Sequence, residues 1–182
     1  MIYDLPKSLE VCDTEYEIRS DFRAALDICI ALNDPDLDDS DRGEAALTIL
    51  YPDFEDMPPE HYDEAVNQLL WFINGGDDPP EKAPPKLIDW QQDFKLITAP
   101  VNRVLGQEIR AAEYLHWWTF LTAYYEIGDC LFAQVVRIRE KQARGKGLDK
   151  SEQEFYRKNR DLVDLKIKYT LADDALMKQW GF

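Results

Sequence analysis

Residues 111–127 have the sequence AAEYLHWWTFLTAYYEI, in which aromatic and aliphatic side chains recur at helical spacing. They form two adjacent rows: Tyr114, Trp118, Leu121 and Tyr125 in one, and Trp117, Leu121 and Tyr124 in the other. A helix that is apolar over most of its circumference lies either at the centre of a helical bundle or against a partner. This run therefore predicts a helical fold built around it.

A second helical pattern precedes the aromatic run, from residue 89 to residue 106. Asp89 is its predicted N-cap, with Gln92 as the reciprocal capping partner three residues later. We expect Gly106 to end this helix. Pro100 lies inside it and predicts a kink, because proline lacks the backbone donor and clashes with the preceding turn.

Two more helical patterns follow Gly128. In the first of them, Leu131, Val135 and Ile138 form the predicted inner face. Its basic side chains are expected to point toward water: Arg137, Arg139, Lys141 and Arg144. The loop ARGKGL then leads to a last helical region, whose start has a capping-box sequence at residues 149–152.

The N-terminal part of the chain predicts a hairpin followed by three helices. Residues 9–11 and 15–18 read as short strands around a turn at Cys12-Asp13. Ser20 is a candidate cap for a helix over residues 21–32, and Ser40 is a candidate cap for a second, short helix. The third pattern begins near a proline at position 59 and ends at the sequence NGG.

These patterns together predict a mainly α fold, a helical bundle of about six to seven helices with a small N-terminal β-hairpin. The stretch GGDDPPEKAPPK, residues 75–86, places four prolines in twelve residues and predicts an extended linker. We therefore expect an acidic N-terminal lobe over residues 1–74, a Pro-rich linker over 75–88 and a helical C-terminal lobe over 89–182.

The formal charge of −15 is concentrated in the first part of the chain. Residues 1–95 carry 24 acidic and 7 basic side chains, whereas residues 96–182 carry 12 and 14. Such a field disfavours nucleic-acid backbones and anionic lipid surfaces, and it favours solubility or a basic protein partner. We therefore expect neither a nucleic-acid nor a membrane partner.

The cysteines and the chain's hydropathy indicate a reducing compartment. Cys12, Cys29 and Cys130 are far apart and odd in number, which predicts buried free thiols rather than a disulfide framework or a metal site. The N-terminus lacks the basic start and apolar run of a signal peptide, and no apolar run is long enough to span a bilayer. The expected location is the cytoplasm.

The sequence suggests no catalytic, metal or cofactor site. His61 and His116 lie in unrelated segments outside any metal-spaced motif, and His116 is expected to be a core histidine bonded to backbone. The acidic loop NDPDLDDSD, residues 33–41, lacks the central glycine and the closing glutamate of a calcium loop, which favours a solvated loop. We expect a protein that is not an enzyme.

Trp117, Trp118, Phe120 and Tyr124 are the candidate partner-binding residues. Tryptophan and tyrosine are over-represented at binding hot spots. The alternative is that these side chains form core.

Four segments resemble the bacteriophage gene-product-fifteen proteins, which are encoded in the phage tail module near the tape-measure gene. They span most of the chain in order: LP…EVCDTEYEIRSDFRAAL from residue 5, IDWQQDFKLITAPVNRVLGQEIR from 88, LHWWTF from 115, and VVRIREKQARGKGLDKSEQEFYRKN from 135. The sequence departs from the family pattern at residues 99–101, where the family's helix is unbroken. The resemblance carries no catalytic residues to this chain.

The resemblance implies a chaperone or adaptor for phage or prophage tail assembly, acting in the host bacterial cytoplasm. Its implied partners are the tape-measure protein and the tail-tube protein. The sequence does not decide whether the protein also forms a homo-oligomer. A structural tail component retained in the virion is one alternative. An acidic DNA-mimic inhibitor is another, motivated by the charge of residues 1–95.

Overall fold

The computed structural model describes residues 4–80, 82 and 84–166, beginning with the expected hairpin. Strand β1 (Ser8–Val11) pairs antiparallel with β2 (Thr14–Glu17). Both turn residues, Cys12 and Asp13, have positive φ angles of 48° and 60°. This is the backbone that a two-residue type I′ turn requires, and its twist matches that of the strands.

Three α-helices follow the hairpin: α1 (Phe22–Ala31), α2 (Asp39–Leu50) and α3 (Tyr62–Ile73). Short 3₁₀ helices at Phe54–Asp56 and Pro59–His61 lead into α3. Their inward faces form a core whose largest fully buried side chains are Phe22, Ile28, Leu50, Tyr51, Leu69 and Phe72.

Two of the predicted helix caps in this part of the chain are wrong. Asp21, not Ser20, caps α1: the helix begins at Phe22, so Asp21 is the residue immediately before it, and its carboxylate accepts the backbone N–H of Arg23. Asp38 caps α2 through the backbone N–H of Asp41, and Ser40 lies inside the first turn. Aspartate in these positions also complements the positive end of the helix dipole.

Five α-helices form the rest of the described chain: α4 (Trp90–Leu105), α5 (Trp117–Tyr125), α6 (Leu131–Ala143), α7 (Lys150–Lys158) and α8 (Arg160–Val163). A 3₁₀ helix at Ile109–Ala111 and an extended segment precede α5. The aromatic run is thus helical only from Trp117 onward, and Tyr114 lies outside the helix, where it is exposed.

The chain divides into two compact units. The first contains residues 4–79 and His116–Trp118 of the described chain, and the second contains Pro80–Leu115 and Thr119–Lys166. The break between Pro79 and Pro80 falls inside the proline-rich stretch. The predicted division at residues 75–88 into two lobes stays a prediction, since residues 116–118 group with the earlier part of the chain.

Local rules place the ends of α4. Asp89 caps it by accepting the Gln92 backbone N–H, and Gly106 ends it in the left-handed conformation with φ 68°. The backbone N–H of Asp89 donates to the carboxylate of Asp93 instead of to Gln92. The Gln92 side-chain amide donates to the backbone carbonyl of Asp164. The helix continues through Pro100.

A buried ion pair joins α4 to α6 in the second unit. The Arg139 side chain is 3% exposed and donates two bonds to the Asp93 carboxylate, at 2.6 and 3.0 Å. Its remaining N–H groups bond to the backbone carbonyls of Leu87, Leu162 and Val163. The prediction that Arg139 points toward water is therefore wrong.

The helical spacing of Arg139 and of Asp93 indicates that both side chains lie on the apolar faces of their helices. Arg139 falls four residues after Val135, on the inner face of α6, and Asp93 falls four residues before buried Ile97 on α4. A charge on an apolar face requires a buried partner. The partner itself could not be read from the sequence, because the two residues are 46 positions apart.

The fold class is confirmed as mainly α with an N-terminal hairpin. Among the described residues there are eight α-helices, and the last predicted helical region divides into α7 and α8. Within the same residues, none of the helices combines the length and the apolarity needed to cross a membrane.

Replacing Arg139 by methionine should destabilise the protein by about 3–5 kcal/mol, because the Asp93 carboxylate then stays buried without its counter-charge. Urea unfolding measures the loss. Arg144→Met on the same helix is the matched control, since the exposed Arg144–Glu140 pair contributes little. Equal effects of the two substitutions would contradict a structural role for the buried pair.

Candidate partner-binding site

The four predicted binding residues occupy two different units. Trp117 and Trp118 belong to the first unit, while Phe120 and Tyr124 belong to the second. Trp117 and Phe120 are 1% and 0% exposed, whereas Trp118 and Tyr124 are partly exposed. In this conformation a partner can reach only the latter two.

The two tryptophans of the first unit bind the C-terminal end of α3. The indole N–H of Trp117 donates to the carbonyl of Ile73 at 3.0 Å, and that of Trp118 donates to the carbonyl of Phe72 at 2.9 Å. The last carbonyls of a helix have no partner inside the helix. Trp117 therefore supplies a donor that α3 itself lacks. Trp118 adds a second donor to the Phe72 carbonyl, which also accepts the backbone N–H of Gly75 at 3.1 Å.

Local bonds satisfy the carbonyls of α3 that the tryptophans do not reach. The backbone N–H and side-chain amide of Asn74 both donate to the Leu70 carbonyl. The N–H of Gly76 donates to the carbonyl of Trp71. Each of the last four carbonyls of α3 thus has a donor, as buried backbone groups require.

His116 connects this helix end to the N-terminal segment. Its Nδ1 accepts the backbone N–H of Trp118, so the proton lies on Nε2, which donates to the carbonyl of Pro6 at 2.9 Å. The backbone N–H of Trp117 donates to the carbonyl of Ser20, next to a bridge between Asp21 and His116. The expectation of a core histidine bonded to backbone is confirmed.

Phe120 and Tyr124 lie in an aromatic cluster of the second unit. The ring of Trp90 is 6.2 Å from that of Phe120 and 5.2 Å from that of Tyr124, which in turn lies 5.9 Å from Phe132. Burial raises the pKa of the Tyr124 hydroxyl, so it remains protonated at all ordinary pH values.

Two exposed apolar side chains border this cluster along the chain. Tyr125 is 70% exposed and Leu131 is 45% exposed, although Leu131 was expected on the inner face of α6. The ring of Tyr125 lies 5.7 Å from that of Tyr124. The prediction for Leu131 is wrong: it is the first residue of α6, and helical periodicity is least reliable at a helix end.

The first unit carries most of the protein's negative charge on its surface. Residues 4–79 contain 21 acidic and four basic side chains, and 19 of the acidic side chains are exposed. Even complete pairing within this segment would leave most carboxylates without a cation. The unit therefore presents a strongly negative surface.

Cys12, Cys29 and His61, all in the first unit, differ in their exposure and partners. Cys12 is exposed, which contradicts the expectation of a buried thiol there, whereas burial raises the pKa of Cys29 to about 12. His61 Nδ1 lies 2.8 Å from the hydroxyl of Tyr16. Within the part of the chain that is described, no group of three or more histidine, cysteine or carboxylate side chains could hold a metal ion.

Comparison with known proteins identifies the family. The family model described as Bacteriophage Gp15 protein matches residues 1–165, nearly the whole chain. The chain belongs to this family. It is accordingly a bacteriophage protein, and the resemblance seen in the sequence is confirmed. No curated protein and no solved structure matches the chain.

Replacing Trp117 by phenylalanine should lower the free energy of unfolding by about 1–3 kcal/mol, because the partly buried Ile73 carbonyl loses the indole donor. Chemical unfolding monitored by circular dichroism measures this. Trp71→Phe is the control, since it removes an indole N–H from a partly exposed ring. A Trp117 variant no less stable than the control would show that the bond contributes little.

Acidification should destabilise the protein through His116. Burial lowers the pKa of its imidazole below the ordinary 6.5, and nearby Lys7 acts in the same direction. Because the unfolded chain then binds the proton more readily, the free energy of unfolding should fall as the pH drops from about 7.5 to about 5.5. His116→Gln should flatten this dependence; an unchanged slope would contradict the assignment.

Proposed function

We propose that the protein is a non-enzymatic tail-assembly protein, a chaperone or adaptor that binds the tape-measure protein and helps to recruit tail-tube subunits. It would act in the cytoplasm of the host bacterium. Membership of the phage family supports this proposal, together with the tail-module role that the resemblance implies. The structural observation that supports it most is the combination of a strongly acidic surface with exposed apolar side chains.

The acidic surface suits a partner that is prone to aggregate. A long helical protein with uncovered apolar faces precipitates unless something covers those faces or adds charge to the complex. Residues 4–79 would supply that charge through 19 exposed carboxylates. The same charge opposes binding to nucleic acid, because phosphates would be repelled.

The second unit offers apolar contacts for such a partner. Tyr125 and Leu131, with partly exposed Tyr124, present aromatic and aliphatic surface at the end of α5 and the start of α6. An amphipathic helix binds by placing its apolar side chains on surfaces of this kind. Of the four predicted binding residues, Trp117 and Phe120 are buried and support the fold. Contact with the partner would be made by Tyr124, Tyr125 and Leu131.

Co-expression with the tape-measure protein of the same phage tests the proposal. We expect a complex that co-purifies and a larger soluble fraction of the tape-measure protein. Tyr125→Ser combined with Leu131→Ser should weaken the complex, whereas Val104→Ser combined with Tyr114→Ser, which also removes two exposed apolar groups, should not. No complex and no gain in solubility would refute the proposal.

Mass spectrometry of purified virions separates this role from that of a structural tail component. A chaperone should be absent from mature particles or present only in trace amounts. Retention in fixed proportion to the tail-tube protein would instead identify a structural component.

A further inference from the structure

We propose that Trp71 and Trp118 of the first unit form a docking surface for a basic protein segment, with an arginine side chain lying against the indole rings. The inference deepens the proposed function by stating the chemistry of a protein partner. It does not require that partner to be the tape-measure protein.

The two rings form a fixed, partly exposed surface. Their centroids are 5.3 Å apart, with an angle of 67° between the ring planes. Trp118 stacks on buried Phe72 and donates its indole N–H to the carbonyl of that residue. A side chain held in this way loses little conformational entropy on binding, as expected of a hot-spot residue.

Gly76 lets the chain lie directly against both rings. A Cβ atom at this position would be 3.0 Å from Cη2 of Trp118 and 3.6 Å from Cζ2 of Trp71. The residue also has a φ of 97°, a conformation that glycine adopts without strain. At position 76 the turn after α3 therefore leaves little room for a side chain next to the Trp118 ring.

The segment that follows Gly76 is acidic. Asp77 and Asp78 follow Gly76 immediately, and both are exposed. They add to the field of a segment that has 21 acidic and four basic side chains. Negative charge on the unit that carries the aromatic surface favours a cationic ligand, because the ring face and the carboxylates attract the same charge.

Arginine fits these features better than the other candidate ligands. Its planar guanidinium can stack on an indole and also form paired bonds to a carboxylate, whereas a lysine ammonium is a point charge. A single-stranded nucleic acid could stack on the indoles, but its phosphates would be repelled by the carboxylates. Charge complementarity thus selects a basic protein segment.

Nuclear magnetic resonance of the full chain tests the proposal through the indole N–H signals of its five tryptophans. The probe is a short acetylated and amidated peptide of alternating glycine and arginine. We expect it to shift the Trp71 and Trp118 signals, and a peptide with citrulline in place of arginine to leave them unchanged. The matching lysine peptide should bind more weakly.

Two variants locate the site. Trp71→Ala should weaken binding of the arginine peptide about fivefold, through loss of one cation–π contact. Asp77→Asn combined with Asp78→Asn should also weaken binding. The control is Asp27→Asn combined with Glu44→Gln, which removes the same charge from exposed positions on α1 and α2 and should weaken it less.

Several results would overturn the proposal. They are equal binding of the arginine and citrulline peptides, equal losses in the two charge variants, and shifts of the same indole signals by a single-stranded oligonucleotide. A dimer that Trp71→Ala converts to a monomer would make a second copy the occupant. Because the probe is a peptide, failure here is distinct from failure to bind the tape-measure protein.

Discussion

The C-terminal end of α3 imposes the constraint on which the first unit depends. Its last carbonyls need donors that the helix cannot provide, and two of those donors are indole N–H groups 44 and 46 residues further along the chain. His116 extends the same set of bonds to Pro6, while the Trp117 backbone reaches Ser20. Residues 116–118 thereby hold together the N-terminal segment, the start of α1 and the end of α3.

This arrangement explains how the acidic unit stays folded. Carboxylates in such excess repel one another and oppose compaction. Directed hydrogen bonds to backbone carbonyls and a buried aromatic core offset that repulsion, and neither needs a counter-ion. The charge can then remain on the surface, where the proposed function uses it for solubility and the inferred docking surface uses it to favour a basic segment.

The features that local rules determine were predictable from the sequence. The turn at Cys12-Asp13, the capping box at Asp149 and Glu152, and the helix stop at Gly106 each depend on a few adjacent residues, and each is present in the structure. The N-cap assignments at Ser20 and Ser40 failed because a nearby aspartate competed for the same position.

The features that join distant residues were not predictable. Asp93 and Arg139 each carried a local signal, a charge on an apolar face, but nothing local gives the pairing. The aromatic residues of the candidate site show the same limit. Their helical periodicity placed them on apolar faces, but it could not predict which of them are buried in the core and which are exposed to a partner. Trp117 is buried and donates to the end of α3, whereas Trp71 and Trp118 are partly exposed and Tyr125 is exposed.

Hydrogen exchange of the indole N–H groups tests this account most directly. If the tryptophans hold the end of α3, the Trp117 and Trp118 indole protons should exchange as slowly as the backbone amides of α3, since all are released by the same opening. Exchange at the rate of a free indole, with the α3 amides still protected, would contradict the central claim.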